Sequence, residues 1–226
     1  MIVDLHTHTT FSDGVLIPAE SARRAYVAGY SGIAITDHAD MSNFEYILRS
    51  VLRFKDAQNK LSKDFAVLAG IEITHVRPSQ IKEITDAARN MGADIINVHG
   101  ETIQESVEEG TNRAAIEAGV DILAHPGLIT EADVQLAAQK GVYLEITTRR
   151  GNAYANGHVA KLAARYGAKM VVNDDFHSPG EYVGRDMALK VLRGAGMDAV
   201  EAGFCIENGI KLFEQKLGKK LNRDTG

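Results

Sequence analysis

One phrase repeats along this chain: a helix-patterned stretch, a glycine, a short apolar run, then a histidine or a carboxylate. The apolar runs fall at residues 2–5, 32–36, 66–73, 95–98, 122–124, 142–146 and 170–172. Several are unbroken series of Val, Ile, Leu and Ala, as parallel strands buried on both faces require. Between them, residues 18–28, 43–61, 79–91, 111–118, 130–140, 157–166 and 185–195 carry apolar side chains at helical spacing, and 206–217 reads as a final amphipathic helix. Ser79 and Thr130 stand where N-caps belong, and Gly29, Gly92, Gly119, Gly141, Gly167 and Gly196 stand where helices end. No low-complexity linker interrupts the series, which predicts one domain over residues 1–218 and a polar tail over 219–226. Seven βα units in a row argue for an α/β fold: a barrel of the TIM type or a distorted relative, with its active site at the C-terminal ends of the strands. A doubly wound open sheet is the alternative. It is disfavoured because no glycine-rich dinucleotide fingerprint follows the first strand, and because an open sheet keeps the first and last strand ends apart.

The polar residues at those strand ends carry the functional signal. Six of the eight histidines lie there: His6, His8, His38, His99, His125 and His177. Seven strand ends of about four positions each cover roughly an eighth of the chain, so chance would place about one histidine of the eight among them. Side chains at i and i+2 of a strand share a face, so His6 and His8 can share a cation, and so can Asp175 and His177. Imidazoles and carboxylates converging from several strands suit a multinuclear hydrolytic metal site, whereas each histidine taken singly would more often be a satisfied core or surface residue.

The bulk numbers narrow the classes. A formal charge of −5 suits a long polyanionic partner poorly, so nucleic acid is a possible but less favoured partner; a small phosphorylated substrate is compatible, because bound cations dominate a local field. The lone cysteine, Cys205, lies outside every motif, which removes internal disulfides and makes a Cys–His enzyme improbable. The chain opens on a strand without a basic region or apolar helix, and its longest apolar runs are too short to cross a bilayer. The expected location is the cytoplasm, without a membrane partner. Nothing in the pattern bears on oligomeric state.

Taken in order, His6-Thr7-His8-Thr9, Phe11-Ser12-Asp13-Gly14, Ile35-Thr36-Asp37-His38, Gly70-Ile71-Glu72, Val98-His99, Ala124-His125-Pro126 and Asp175-Phe176-His177 resemble the successive motifs of the PHP (polymerase and histidinol phosphatase) family, over nearly the whole chain. The resemblance implies a distorted TIM-like (β/α)7 barrel and two to three divalent ions (zinc, manganese or iron) hydrolysing phosphoesters through a metal-bridging hydroxide. Carried onto this chain, it implies that His6, His8, Glu72 and Asp175 ligate one ion. Glu72, His99 and His125 ligate a second, with Glu72 bridging; Asp13, His38 and His177 ligate a third. The family varies at the Asp13 position, where a histidine can stand. Catalysis is expected to rest on Glu72, His38 and Asp175.

Other polar residues near strand ends have competing readings. Arg149 and Arg150 follow the sixth strand and either clamp a phosphate at the barrel mouth or belong to a solvated loop. His75, Arg77 and Glu101 are further candidates for substrate contact, with surface roles as the alternative, and Asp4, Asp37 and Asp174 are candidates to accept from ligand imidazoles. The leading expectation is a metal-dependent phosphoesterase of the histidinol-phosphatase type. Two alternatives stay open: a nuclease or nucleotide phosphodiesterase, and a noncatalytic scaffold or regulatory subunit, which would be expected to have lost ligands.

Overall fold

In a computed structural model, which describes residues 1–221, the chain forms a nearly closed barrel of parallel strands ringed by helices. The main strands are β1 (Val3–Thr7), β2 (Gly32–Ile35), β4 (Ala66–Ile73), β5 (Ile95–His99), β6 (Ile122–Ala124), β7 (Tyr143–Thr147) and β8 (Met170–Asn173). They stand side by side in chain order, and a two-residue strand, β3 (His38–Ala39), also pairs with β4. Every βα unit returns to the next position in the ring, so all seven strand ends open on one mouth.

The ring closes between β1 and β8, but by an irregular seam. At the mouth, Thr7 bridges Phe176 in parallel, and the amide of His8 donates to the Phe176 carbonyl at 2.8 Å. Deeper in the barrel, side-chain amides replace the ladder. Leu5 N donates to Asn173 Oδ1 and Asn97 Nδ2 reaches Leu5 O from β5, both at 2.9 Å. These asparagines satisfy backbone groups that a regular strand pair would have satisfied.

The helices are α1 (Pro18–Val27), α2 (Phe44–Leu61), α3 (Pro78–Asn90), α4 (Thr111–Ala118), α5 (Glu131–Lys140), α6 (Asn156–Tyr166), α7 (Gly184–Gly194) and α8 (Ala199–Leu217). All six expected end glycines take positive φ. Thr130 caps α5, accepting from Asp133 N at 3.1 Å. Ser79 is not a cap: α3 begins one residue earlier at Pro78, whose fixed φ suits the first helical position, and Arg77 takes the extended cap conformation. The last helix starts at Ala199, seven residues ahead of the expected 206. Asp198 accepts from Val200 N and Glu201 N, and Glu201 accepts from Asp198 N, a reciprocal capping box. Phe213 of α8 is fully buried against Gly32 at the entry of β2, where a Cβ would lie 2.4 Å from its ring. Of the expected polar tail, Leu221 is buried, and residues 222–226 lie outside the described residues. No described helix is long and apolar enough to cross a membrane.

Candidate metal centre

Each strand of the ring delivers its polar end to the mouth. β1 presents His6 and, one residue past its end, His8; the Asp4 carboxylate accepts from His6 N at 3.0 Å, within the stretch of β1 where the register to β2 shifts. After β2, Asp37 accepts from Thr9 N, Thr9 Oγ1 and Ser12 Oγ, each at 2.7 Å. That fastens the loop bearing Asp13 beside His38. β4 carries Glu72, β5 ends in His99, and β6 is followed by His125. Beyond β8 come Asp175 and His177. Among the described residues only His75, His125 and Asp175 are non-glycines at positive φ, so two of the three strained backbones belong to this centre. His125 is followed by Pro126 and Gly127; a Cβ on Gly127 would lie 1.8 Å from the Glu101 carbonyl oxygen, so only glycine lets the two loops meet.

Glu72 is the hub. Oε1 lies 3.2 Å from His6 Nε2 and 3.5 Å from His125 Nε2; Oε2 lies 2.7 Å from His38 Nδ1 and 3.6 Å from His8 Nε2. Asp175 Oδ1 stands 3.2 Å from His8 Nε2 and 3.6 Å from His6 Nε2. Asp13 Oδ1 faces His177 Nε2 at 3.2 Å and His38 Nε2 at 3.5 Å. Ligand atoms of Glu72, His99 and His125 lie within 4.8 Å of one another, as do those of His6, His8 and Glu72, and those of His8, Asp13, His38 and His177. All nine residues expected as ligands are therefore brought to one mouth.

The donor set fits cations better than it fits itself. His6 Nε2, both ring nitrogens of His8, Glu72 Oε1 and His125 Nδ1 are buried without an aligned hydrogen bond. His6 Nε2 and Glu72 Oε1 are nevertheless only 3.2 Å apart. Close approach without alignment is the signature of lone pairs aimed at a shared point between them, and leaving such groups unpaired would be costly. The electrostatics agree. Burial opposes ionisation of Glu72, but His6, His38 and His125 outweigh it and hold the carboxyl well below the usual range. Asp175 is held low in the same way by His6, His8 and His125. Burial pushes His8 down to about 3, assisted by the neighbouring His38. His6 is raised despite its burial, because Glu72, Glu145 and Asp175 surround it.

A residue absent from the sequence-based expectations stands behind the ligands. Glu145, buried in the middle of β7, accepts from His6 Nδ1 at 2.9 Å, from His125 N at 3.0 Å and from Asn173 Nδ2 at 2.7 Å. It fixes the His6 tautomer, leaving the Nε2 lone pair turned toward Glu72. The only prior signal was an acid inside an otherwise apolar strand. Asp37 and Asp174 do not take this part. Asp37 ties the Thr9–Ser12 loop, and Asp174 accepts from Tyr30 OH and Thr148 Oγ1.

The residues expected to contact substrate separate. Arg149 is at the centre: its Nη1 donates to Asp175 O at 3.0 Å and lies 2.7 Å from His177 Nδ1. Arg149 and Arg150 both line an adjoining cavity of about 500 Å³, with Thr148, Glu181 and Val183. Glu101 is turned to structure: its carboxylate accepts from Gly110 N and Asn112 N at 3.0 and 2.8 Å, closing the loop before α4. Arg77 is the residue from which α3 starts, its amide 3.4 Å from Gln80 Oε1. His75 reaches Glu105 instead, Nε2 to Oε2 at 3.2 Å, and Glu105 also lies 3.4 Å from His99 Nε2.

Comparison with known proteins accords with this geometry. The family model described as the PHP domain matches residues 4–118. An uncharacterized protein of Methanocaldococcus jannaschii is 42% identical over 222 residues, covering 98% of this chain and 100% of its own. A probable phosphatase of Thermoanaerobacter sp. (strain X514) is 27% identical over 216 residues, with 87% of each chain covered. Among solved structures, histidinol phosphate phosphatase from Lactococcus lactis, complexed with zinc, L-histidinol and phosphate, superposes with a TM-score of 0.60 at 16% identity, over 87% of this chain and 94% of that one. A chain of archaeal ribonuclease P with mature tRNA reaches 0.67 at 17% identity, over 95% and 90%. At these identities the two structures establish the likeness of fold.

Proposed function

This chain belongs to the PHP domain family, and on that footing we propose that it is a metal-dependent hydrolase of a small phosphomonoester. The observation that carries the reading is the set of buried, unaligned donor atoms around Glu72, together with the eight further side chains that face it or one another at the mouth. His6, His8, Glu72 and Asp175 would hold one ion, Glu72, His99 and His125 a second, and Asp13, His38 and His177 a third. Bound divalent ions supply Lewis acidity toward a water and toward the phosphoryl oxygens, the chemistry that phosphoester hydrolysis needs. With its two oxygens turned to different histidines, Glu72 would be the carboxylate shared by two of the ions. Glu145 holds His6 through Nδ1, which leaves His6 Nε2 turned toward Glu72.

Arg149 is the phosphate-facing cation. Its guanidinium is already at the edge of the centre and half-open to the 500 Å³ cavity, so it orients the ester while that cavity receives the organic part. A cavity of that size takes a small molecule, and the net charge of −5 gives no basic track for a polymer.

The test is protein purified without chelator, analysed for metal, reconstituted with zinc, manganese or iron, and screened over phosphomonoesters, cyclic nucleotides and short oligonucleotides. About two to three ions per chain and turnover of monoesters are expected, and Glu72→Gln should nearly abolish turnover while leaving the circular dichroism unchanged. Fewer than about one ion per chain after titration overturns the metal centre. Preference for oligonucleotides over every monoester overturns the substrate class and favours a nuclease.

A further inference from the structure

Outside the nine residues lies a second cluster with ligand geometry. His75, His99 and Glu105 each place one donor atom within 4.8 Å of the others. Glu105 Oε2 is the shared partner, 3.2 Å from His75 Nε2 and 3.4 Å from His99 Nε2. The side chains of His75 and Glu105 are 45% and 42% exposed, whereas His99 is buried and belongs to the inner group with Glu72 and His125. The cluster thus runs from solvent to the centre through His99.

Two observations mark it as built. His75 is the third non-glycine at positive φ (53°), sharing that strain with His125 and Asp175 of the centre; no other described side chain carries it. Such a backbone persists where the fold has a use for where the side chain points. The loop bearing Glu105 is tied down as well. Glu101 fastens it to Gly110 and Asn112, and Thr102 Oγ1 donates to Asn152 Oδ1 at 2.8 Å.

The nitrogen count decides what the cluster does. His99 Nδ1 lies 3.2 Å from the Gly100 carbonyl, to which it donates, so Nε2 has the only lone pair. One lone pair binds one cation at a time. The inner group and the outer cluster are therefore alternative positions of a single ion, not two sites. We propose that His75 and Glu105 form an outer seat through which the cation of the Glu72–His99–His125 position enters and leaves. A hydrated ion loses its waters reluctantly, and burying it in one step is expensive. Exposed ligands that replace the waters in turn, before Glu72 and His125 take over, lower that barrier.

This inference rests on reading the centre as metal-binding, and its test separates the two. Metal-free parent protein, His75→Gly and Glu105→Gln are loaded with cobalt(II), followed by its visible spectrum in stopped flow, then stripped with a chelator. The stoichiometry is expected to match in all three, while both variants take up and release one ion about tenfold or more slowly. His75→Gly is expected to melt no lower than the parent, since glycine adopts φ 53° without strain. Unchanged rates in both variants overturn the outer seat and leave the centre standing. Loss of one whole ion from either variant also overturns it, by showing an independent site. A parent that binds no cobalt overturns both readings.

Discussion

Glu145 shows what a side chain one step behind the ligands contributes. Glu145→Gln keeps the shape but offers a neutral acceptor to His6 Nδ1. Metal affinity is expected to fall about ten- to hundredfold, read by competition with a chromophoric chelator, with the fold intact. Arg149→Ala should lower kcat/KM for the best monoester by about ten- to hundredfold, a loss on the order of 1.5–3 kcal/mol for a charge-assisted contact. Arg150→Ala, lacking the contacts to Asp175 and His177, is expected to do less. Proton traffic follows from the histidines. His6, His38 and His99 are raised: burial acts against each, but Glu72 and other carboxylates, Glu105 for His99, outweigh it. A raised base keeps its proton to higher pH, and a cation must displace that proton. Metal affinity should therefore rise with pH through the range above the ordinary histidine value, with protons released on loading. Calorimetry in buffers of different ionisation enthalpy measures this, and uptake without proton release contradicts it. Eight of the nine candidate ligand positions were legible because histidine and acid are conspicuous at or beside the end of an apolar run, whereas Asp13, in the loop after β1, came only with the family resemblance. Glu145 was not, since inside Tyr143–Thr147 it breaks no boundary. Glu105 was hidden among Glu101, Glu108 and Glu109 in a polar loop where composition picks out none of them.

The elements were legible for a different reason: each strand is a compact apolar run between a glycine and a polar residue, and strands buried on both faces show nothing else. The run at 66–73 matches β4 residue for residue. What escaped were features made by side chains capping nearby backbone, such as the Asp198–Glu201 box that starts α8 early, or by spans too short for a period, such as β3 and the turn Asn152–Ala155. Asp198→Ala should cost about 1 kcal/mol of stability, typical of a lost N-cap. The seam is more sensitive. Asn173→Ala would leave Leu5 N and one hydrogen-bonding face of Glu145 without partners in the barrel interior. That predicts a loss of about 1–3 kcal/mol, or on the order of 2–10 °C in Tm for a domain of this size. A melt within about a degree of the parent would assign the closure to the Thr7–Phe176 bridge alone.

For the molecule as a whole, the centre ties all the walls of the barrel together, so occupancy and stability are linked. Ligands that bind only the folded state stabilise it by about 2.7 kcal/mol per site at a hundredfold excess over Kd. Chelation is therefore expected to lower Tm by about 5 °C or more. Equal melting with and without chelator would mean that the walls hold their places unaided. The barrel itself could be anticipated because His6 and His8 at one end of the chain and Asp175 and His177 at the other make sense only if the ends meet, and the seam between β1 and β8 is where they do. That seam sets a timetable for synthesis. Leu5 waits for Asn173, 168 positions later, so a ribosome has to deliver residue 173 before the first strand, already paired with β2, acquires its second neighbour. Until then the nascent His6–His8 pair lacks the Asp175 carboxylate from the far end, and the proposed centre is complete only when the seam has closed.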